Sequence, residues 1–223
     1  MVSESAGSGP SASIQSAVIG PPVPRLEVRL KRALDVGVVC ICLIILAPLI
    51  AYIYLRLRNE EGGAIFAQRR IGKNGKPFLM YKFRTMTPDA DVLRSHMTNV
   101  SNCGRIFKVR NDPRVTSFGK LLRRHDLDEI PQLVNVLKGE MSLVGPRPPL
   151  AEEVVRYGER DRQRLAIMPG ITGLWQVDRN RQWVFEQMVN LDLRYARDWS
   201  LLLDLRILLR TPVAMLRGRS FDA

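Results

Sequence analysis

The stretch Val36–Leu55, VGVVCICLIILAPLIAYIYL, carries no charged side chain. As a helix a run of this length reaches about 30 Å, the depth of a bilayer's hydrocarbon core. A polar tail precedes it and no small-residue cleavage site follows, so it does not read as a secretory signal. Two features bear on how it meets the membrane. Pro48 lacks an N–H and its ring crowds the carbonyl of Ile44, so a kink or break is expected at Ala47-Pro48. Both flanks are basic, with Arg25, Arg29, Lys31 and Arg32 before the run and Arg56, Arg58, Arg69 and Arg70 after it. Short Lys/Arg-rich segments stay cytoplasmic, so matched flanks argue that both ends lie on one side. A helix that enters, breaks at Pro48 and returns meets both facts, and one spanning helix is the alternative. Carbonyls freed at a break need partners from the protein itself.

The 223 residues suffice for one domain with a real core. A formal net charge of +12 favours an anionic partner: nucleic acid, anionic lipid or a phosphorylated substrate. Plain surface solubility is the competing account. No helix-turn-helix or stacking-aromatic pattern supports nucleic acid. Cys40, Cys42 and Cys103 have no disulfide or zinc spacing and read as buried thiols. Residues 1–24 are low-complexity and read as a disordered tail. The chain thus divides into a tail (1–24), a re-entrant membrane helix with basic flanks (25–58) and a cytoplasmic domain with interfacial helices (59–223).

Two β-rich runs around Asn74-Gly75, in AIFAQRRIGKNGKPFLMYKFRTM, predict a hairpin. A helix is predicted from Thr87 as cap, with Pro88 at its first position. That helix start accounts for Asp89 and Asp91, so their D-x-D spacing is not taken as a metal site. NDPRVTSFGKLLRR reads as a turn and a short helix. His96 and His125 have no ligand-spaced partner. In the C-terminal third, MPGITGLWQV is a glycine-rich loop suited to line a pocket. LLLDLRILLRTPVAMLRGR is a leucine-rich helix with Arg206 and Arg210, then Arg217 and Arg219 past Pro212. It fits a core helix with a wet edge or a helix lying on a membrane surface. Trp175, Trp183 and Trp199 suit either core or interface.

The densest chemistry lies between Leu122 and Pro148, LRRHDLDEIPQLVNVLKGEMSLVGPRP. Leu127, Ile130, Leu133, Val134 and Leu137 recur at helical spacing and predict a core stripe. Asp128, Gln132 and Asn135 fall on another face, and Lys138-Gly139 closes the helix. Asp126 and Glu129 match a capping box, with Asp128 at the positive end of the dipole. That reading leaves Arg123, Arg124 and Arg147 unexplained. A helix N-terminus ringed by arginines suits phosphate. Carboxylates there must hold a metal, for which Mg²⁺ is the usual ion, or react, as in attack on phosphorus. Both uses stay open on the residues alone.

Taken together, KRALD before the proline-containing run, YKFRTM, DPRVTSFGKLLRR, LDEIPQLVNVLKGEMSLVGPRP, PGITGLWQV and DWSLLLDLRILLRT occur in one order. From Lys31 to Thr211 the chain resembles the bacterial sugar transferases, small monotopic phosphoglycosyl transferases that act on polyprenyl phosphate. The Leu-Trp of the glycine-rich loop is similar to members that initiate exopolysaccharide or O-antigen assembly with galactose or glucose. The resemblance implies a mainly α fold with a small β-hairpin (α+β), monotopic, with a re-entrant N-terminal helix and amphipathic surface helices. It implies a UDP-hexose and polyprenyl (undecaprenyl) phosphate as substrates, Mg²⁺ as cofactor and UMP as product. Asp128 is the implied nucleophile and Glu129 its partner, both also metal ligands. Arg84, Arg123, Arg147 and Gln132 are implied substrate contacts. The expected place is the bacterial inner membrane, with the catalytic domain on the cytoplasmic face, no nucleic acid partner and room for a homodimer. Two departures stand out. Asp126 replaces the usual Ser or Thr two positions before the nucleophile and puts a further negative charge beside it. VDRNRQW replaces a usual Gly-Arg, with Arg179 or Arg181 as the substitutes.

Overall fold

The apolar run forms the middle of one 33-residue helix, α1 (Arg25–Leu57). The computed structural model describes residues 24–94, 109, 112–178 and 184–216. The tail, His96, Cys103, Arg179, Arg181, Trp183, Arg217 and Arg219 lie outside them. The expected interruption at Pro48 does not end α1, which continues through it. A proline removes one N–H and displaces one carbonyl, and strong apolar helix formers on both sides carry the helix across as a local kink would. Ile41, Ile44, Ile45, Tyr52 and Leu55 of α1 are exposed. Leaving such side chains in water forfeits about 1.5–3 kcal/mol each, so this band calls for an apolar cover.

Both ends of α1 are gripped by the rest of the chain. Near its start, Lys31 donates to Asp204 at 2.6 Å and to the Val144 carbonyl at 3.2 Å. Asp35 is buried and accepts from the Ser142 hydroxyl (2.7 Å) and the Leu143 N–H (3.2 Å). Tyr195 and Trp199 complete the coordination of Asp204. Near its end, Ile53 and Leu57 enter the main core, and the Arg56 guanidinium lies 5.7 Å from the Phe118 ring centre.

After α1 come β1 (Ile65–Ile71) and β2 (Pro77–Phe83), an antiparallel pair in register from Ile65 with Phe83 to Ile71 with Pro77. The expected turn is present. Asn74 (φ 57°) and Gly75 (φ 76°) take left-handed conformations, inside a connection from Gly72 to Lys76 that is longer than a two-residue turn. Next is α2 (Ala90–Arg94). It starts later than expected, and the Thr87 hydroxyl makes no cap bond. α3 (Ser117–Arg124) is capped by Thr116, whose hydroxyl accepts from the Gly119 N–H.

The predicted helix over Leu127–Lys138 divides. Leu127–Glu129 is a 3₁₀ turn, and α4 (Gln132–Lys138) follows Pro131. Proline cannot sit inside an α-helix without losing a bond, so the helix restarts there. The capping box is accordingly absent. Asp126 is left-handed (φ 54°) and its main-chain carbonyl accepts from Glu129 instead. The core stripe also shifts. Val134 and Leu137 are exposed, while Val136 is buried together with Gln132 and Asn135. The helix ends as expected, with Gly139 at φ 77°.

β3 (Ser142–Val144) pairs in parallel with β4 (Gly170–Thr172). Between them lie two short helices, α5 (Ala151–Val155) and α6 (Glu159–Arg162). A Cβ on Gly170 would stand 2.1 Å from the Gly145 nitrogen, and one on Gly145 would stand 2.3 Å from the Met168 carbonyl. The Gly-Pro-Arg-Pro and Pro-Gly-Ile-Thr-Gly segments therefore interlock backbone to backbone. α7 (Leu174–Val177), α8 (Phe185–Asp198) and α9 (Leu201–Leu216) complete the fold. α9 buries Asp204 and Ile207 and exposes Leu202, Leu205, Leu209, Val213 and Leu216, with Arg206 and Arg210 also exposed. Its outer face is thus apolar with basic neighbours, as a helix on a membrane surface requires.

Candidate active site

Strand alternation puts Lys82 of β2 toward the turn between α3 and α4, where its ammonium meets two carboxylates. It donates to Glu129 at 2.9 Å and lies 3.8 Å from an Asp128 oxygen. Asp128 is only 5 % exposed. A buried carboxylate beside a second one is unfavourable unless cations sit close, and Lys82 is one such cation.

The spacing between Lys82 and the dyad is fixed by Asn135. One edge of β2 pairs with β1, and among the described residues the other has no strand beside it. The Asn135 carboxamide serves as the missing neighbour. Its Oδ1 accepts from the Tyr81 N–H (3.1 Å), and its Nδ2 donates to the Leu79 carbonyl (2.7 Å) and to Glu140 (2.7 Å). α4 is thereby welded to the strand one residue from Lys82.

Asp128, Glu129, Gln132 and Arg123 come together around this turn. Arg123, in the last turn of α3, donates to the Thr85 hydroxyl at 2.8 Å. Gln132 is buried at the start of α4. At the start of α4 the Leu133 and Val134 N–H groups donate to the Ile130 and Pro131 carbonyls. Arg84 is engaged elsewhere. The strand ends at Phe83 and alternation stops there. The Arg84 guanidinium donates to the Gly63 (2.9 Å) and Gly62 (2.6 Å) carbonyls and stacks over Phe66. It ties down the loop leaving α1.

Arg147 sits in the interlocked Gly-Pro-Arg-Pro segment, beside Arg70 and Asp192. Burial first, and then the positive charge of Arg147, lower the Arg70 guanidinium to about 9, still charged at neutral pH. Among the described residues no hydrogen bond or ion pair engages the Arg147 side chain. Behind it Arg164 is buried in an ion pair with Asp192 and donates to the Tyr157 hydroxyl at 3.0 Å. Burial pushes that hydroxyl up to about 12, so it stays neutral and free to accept. Burial also raises Asp192, to about 6, with Arg164 and Arg147 opposing the shift.

Sequence reasoning missed Lys82, Asn135, Arg70 and Arg164. Lys82 lay inside the YKFRTM segment, where strand alternation fixes its face but not its partner. Asn135 was placed on the right face without a partner. For Arg70 and Arg164 no local signal existed, because their partners are distant in the chain.

The donor set suits a Mg²⁺ ion. Among the described residues no three metal-ligating side chains gather. Mg²⁺ needs only one or two carboxylates, with substrate phosphates and water completing its shell, and Asp128 with Glu129 provides that pair.

A family model described as bacterial sugar transferase matches residues 26–218. The chain is 42% identical to galactosyl transferase CpsE of Streptococcus agalactiae, over 84% of this chain and 42% of that protein. It is 38% identical to the exopolysaccharide production protein ExoY of Sinorhizobium fredii, over 85% and 86% respectively. It is also 38% identical to the UDP-glucose:undecaprenyl-phosphate glucose-1-phosphate transferase of Caulobacter vibrioides, over 93% and 78%. The chain thus spans about two fifths of CpsE and most of the other two.

Proposed function

The chain belongs to the bacterial sugar transferases, and on that footing we propose that it transfers a hexose-1-phosphate from a UDP-hexose to undecaprenyl phosphate and releases UMP. The observation that carries this reading is the adjacent Asp128 and Glu129, held against Lys82 with Arg123 close by, on a body that grips both ends of an apolar helix.

An Asp128 carboxylate oxygen attacks the phosphorus bearing the sugar. The bond from that phosphorus to the bridging oxygen breaks, and UMP leaves with the electron pair. An oxygen of the polyprenyl phosphate then attacks the same phosphorus. The bond to Asp128 breaks, the carboxylate is restored, and a polyprenyl diphosphate sugar departs. Arg123 and Arg147 hold the diphosphate through forked charge-assisted bonds. Lys82 holds Glu129 in place. Gln132 offers its amide to the substrate. A Mg²⁺ ion on Asp128 and Glu129 would neutralise phosphate charge during the exchange. α1 enters the inner membrane from the cytoplasmic face and returns, and α9 lies on the surface. The product class suits initiation of exopolysaccharide or O-antigen assembly, as the name of ExoY suggests.

Membranes containing the protein, given Mg²⁺, undecaprenyl phosphate and a panel of UDP-sugars, should release UMP with at least one sugar. Release of UDP would mark a transferase that moves sugar without phosphate, and no release would leave a membrane-anchored binding protein. With sugar-linked ³²P and no lipid acceptor, label should stay on the protein and be absent from Asp128→Asn.

A further inference from the structure

The segment Gly145–Pro149, GPRPP, carries prolines at 146, 148 and 149 and so has few N–H groups. It cannot be fixed by a ladder and has to be held through its carbonyls. Four successive ones are taken. The Gly170 N–H donates to Pro146 (2.9 Å) and the Ile71 N–H to Pro149 (2.9 Å). Between them, Arg164 Nη2 donates to the Arg147 carbonyl (3.2 Å) and Arg70 Nη1 to the Pro148 carbonyl (3.1 Å). Both arginines are buried, at 4 % and 5 % exposed. Each is itself braced, Arg164 by Asp192 and Tyr157, and Arg70 by the Gln68 side chain at 2.6 and 3.1 Å.

We propose that Arg164 and Arg70 are positioning residues that aim the Arg147 side chain by gripping the main chain on either side of it, with Asp192 and Tyr157 setting the Arg164 fork. The proposal rests on the reading of Arg147 as a diphosphate ligand. Its logic is one of placement. Buried ion pairs are poor stabilisers, and well-packed apolar residues often replace them without loss. An apolar pair can hold the core here, but it cannot hold the Arg147 carbonyl. A planar guanidinium meets an acid, a hydroxyl and a carbonyl at once, which an ammonium on a flexible stem does not.

The test uses the full chain with Arg164→Met and Asp192→Leu together, in the wild-type and Arg147→Ala backgrounds. Arg164→Lys, which keeps a charge against Asp192, serves as the second variant should the pair replacement fail to fold. Two quantities are read: kcat/KM for UMP release from UDP-glucose and UDP-galactose, and the rise in melting temperature given by UDP with Mg²⁺, which needs no turnover. The pair replacement should leave the melting temperature near that of wild type. It should cut kcat/KM by about 100-fold, the scale of a 1 Å misplacement of a binding group. Arg164→Lys should lose about tenfold, in line with weaker forked contacts. In the Arg147→Ala background neither change should reduce the UDP-induced rise further. Equal losses in both backgrounds, or full activity in a folded variant, would overturn the positioning role while leaving the proposed reaction standing. A wild-type protein that releases no UMP would overturn both.

Discussion

Replacing Asn135 with leucine removes a carboxamide and keeps nearly the same side-chain shape. Asn135 is 0 % exposed, so nothing from solvent can take over its bonds. The Tyr81 N–H and the Leu79 carbonyl would both be left against an apolar side chain. Each stranded group costs about 1–3 kcal/mol. Glu140 is half-buried and can turn toward water, so its loss weighs less. Added apolar contact from leucine returns about 1–2 kcal/mol. The net loss is about 0–5 kcal/mol, centred on about 2.5 kcal/mol, which at about 2–4 °C per kcal/mol for a domain of this size lowers the melting temperature by roughly 5–10 °C. Thermal unfolding of the purified full chain in detergent reads this directly. UMP release below the transition reads the second consequence: Lys82 loses its fixed distance from Glu129 and turnover falls. A melting temperature equal to that of wild type would show that β2 does not depend on Asn135 for its free edge.

Asn135→Asp separates bonding from shape. The new carboxylate still accepts from Tyr81 but now faces the Leu79 carbonyl and the Glu140 carboxylate with no proton to offer. Burial beside like charge raises its pKa above the unfolded value. Stability is then greatest at low pH and is lost as pH rises through the raised value. Asn135→Asp should therefore be the less stable of the two variants at pH 8 and should gain on Asn135→Leu toward pH 5.

Asp128→Asn should abolish UMP release with little change in melting temperature, and substantial residual turnover would assign Asp128 to metal binding alone. Arg147→Ala should cost a few kcal/mol of diphosphate binding, hence orders of magnitude in kcat/KM, with stability nearly intact; aggregation would mark it as structural. Gly119→Ala should destabilise the fold by about 1–3 kcal/mol, because its Cβ would stand 2.2 Å from the Thr85 carbonyl, and an unchanged melting curve would contradict that packing. Cysteines placed at Ser5 and on the catalytic domain should both resist an impermeant thiol reagent in intact cells, and Pro48→Leu should expose the first in part of the population.

What was legible in the sequence is what local chemistry decides. Asn74-Gly75 needed left-handed backbone and gave the hairpin. Gly139 marked a helix end, and a long uncharged run gave α1. The misreadings lie where a distant partner or a nearby proline overrides a local pattern. The stripe Leu127–Leu137 was read as core because apolar residues are usually inside. Here Gln132 and Asn135 are inside, since Asn135 finds bonding partners on a hairpin more than fifty residues away. Asp126 and Glu129 looked like a capping box, but Pro131 forces a 3₁₀ turn in which that box cannot close. The Arg84 bonds to the Gly62 and Gly63 carbonyls join residues some twenty apart in the chain, which no local pattern announces. The Arg70 and Arg164 grips depend on the crossing of three prolines with two other segments, which no window of sequence contains.

The proposed return of α1 follows from charge and anchorage together. A straight helix of this length would run about 50 Å. Its middle is open to the surroundings, with Ile44 76 % exposed, so the apolar part calls for a cover that the proposed reading finds in lipid. Its start is tied by Lys31, Arg32 and Asp35, and its end by Arg56 and Leu57, all to one body. A spanning arrangement would put those ends on opposite sides of the bilayer. One set of ties would break, and for Lys31 and Asp35 that strands partners already buried in the domain. Carrying the flanking arginines across would add about 2.5–3.5 kcal/mol for each held at the bilayer centre. A bend near Pro48 avoids both costs. The proline leaves the Ile44 carbonyl short of one N–H, which softens the helix in the middle of its exposed apolar face.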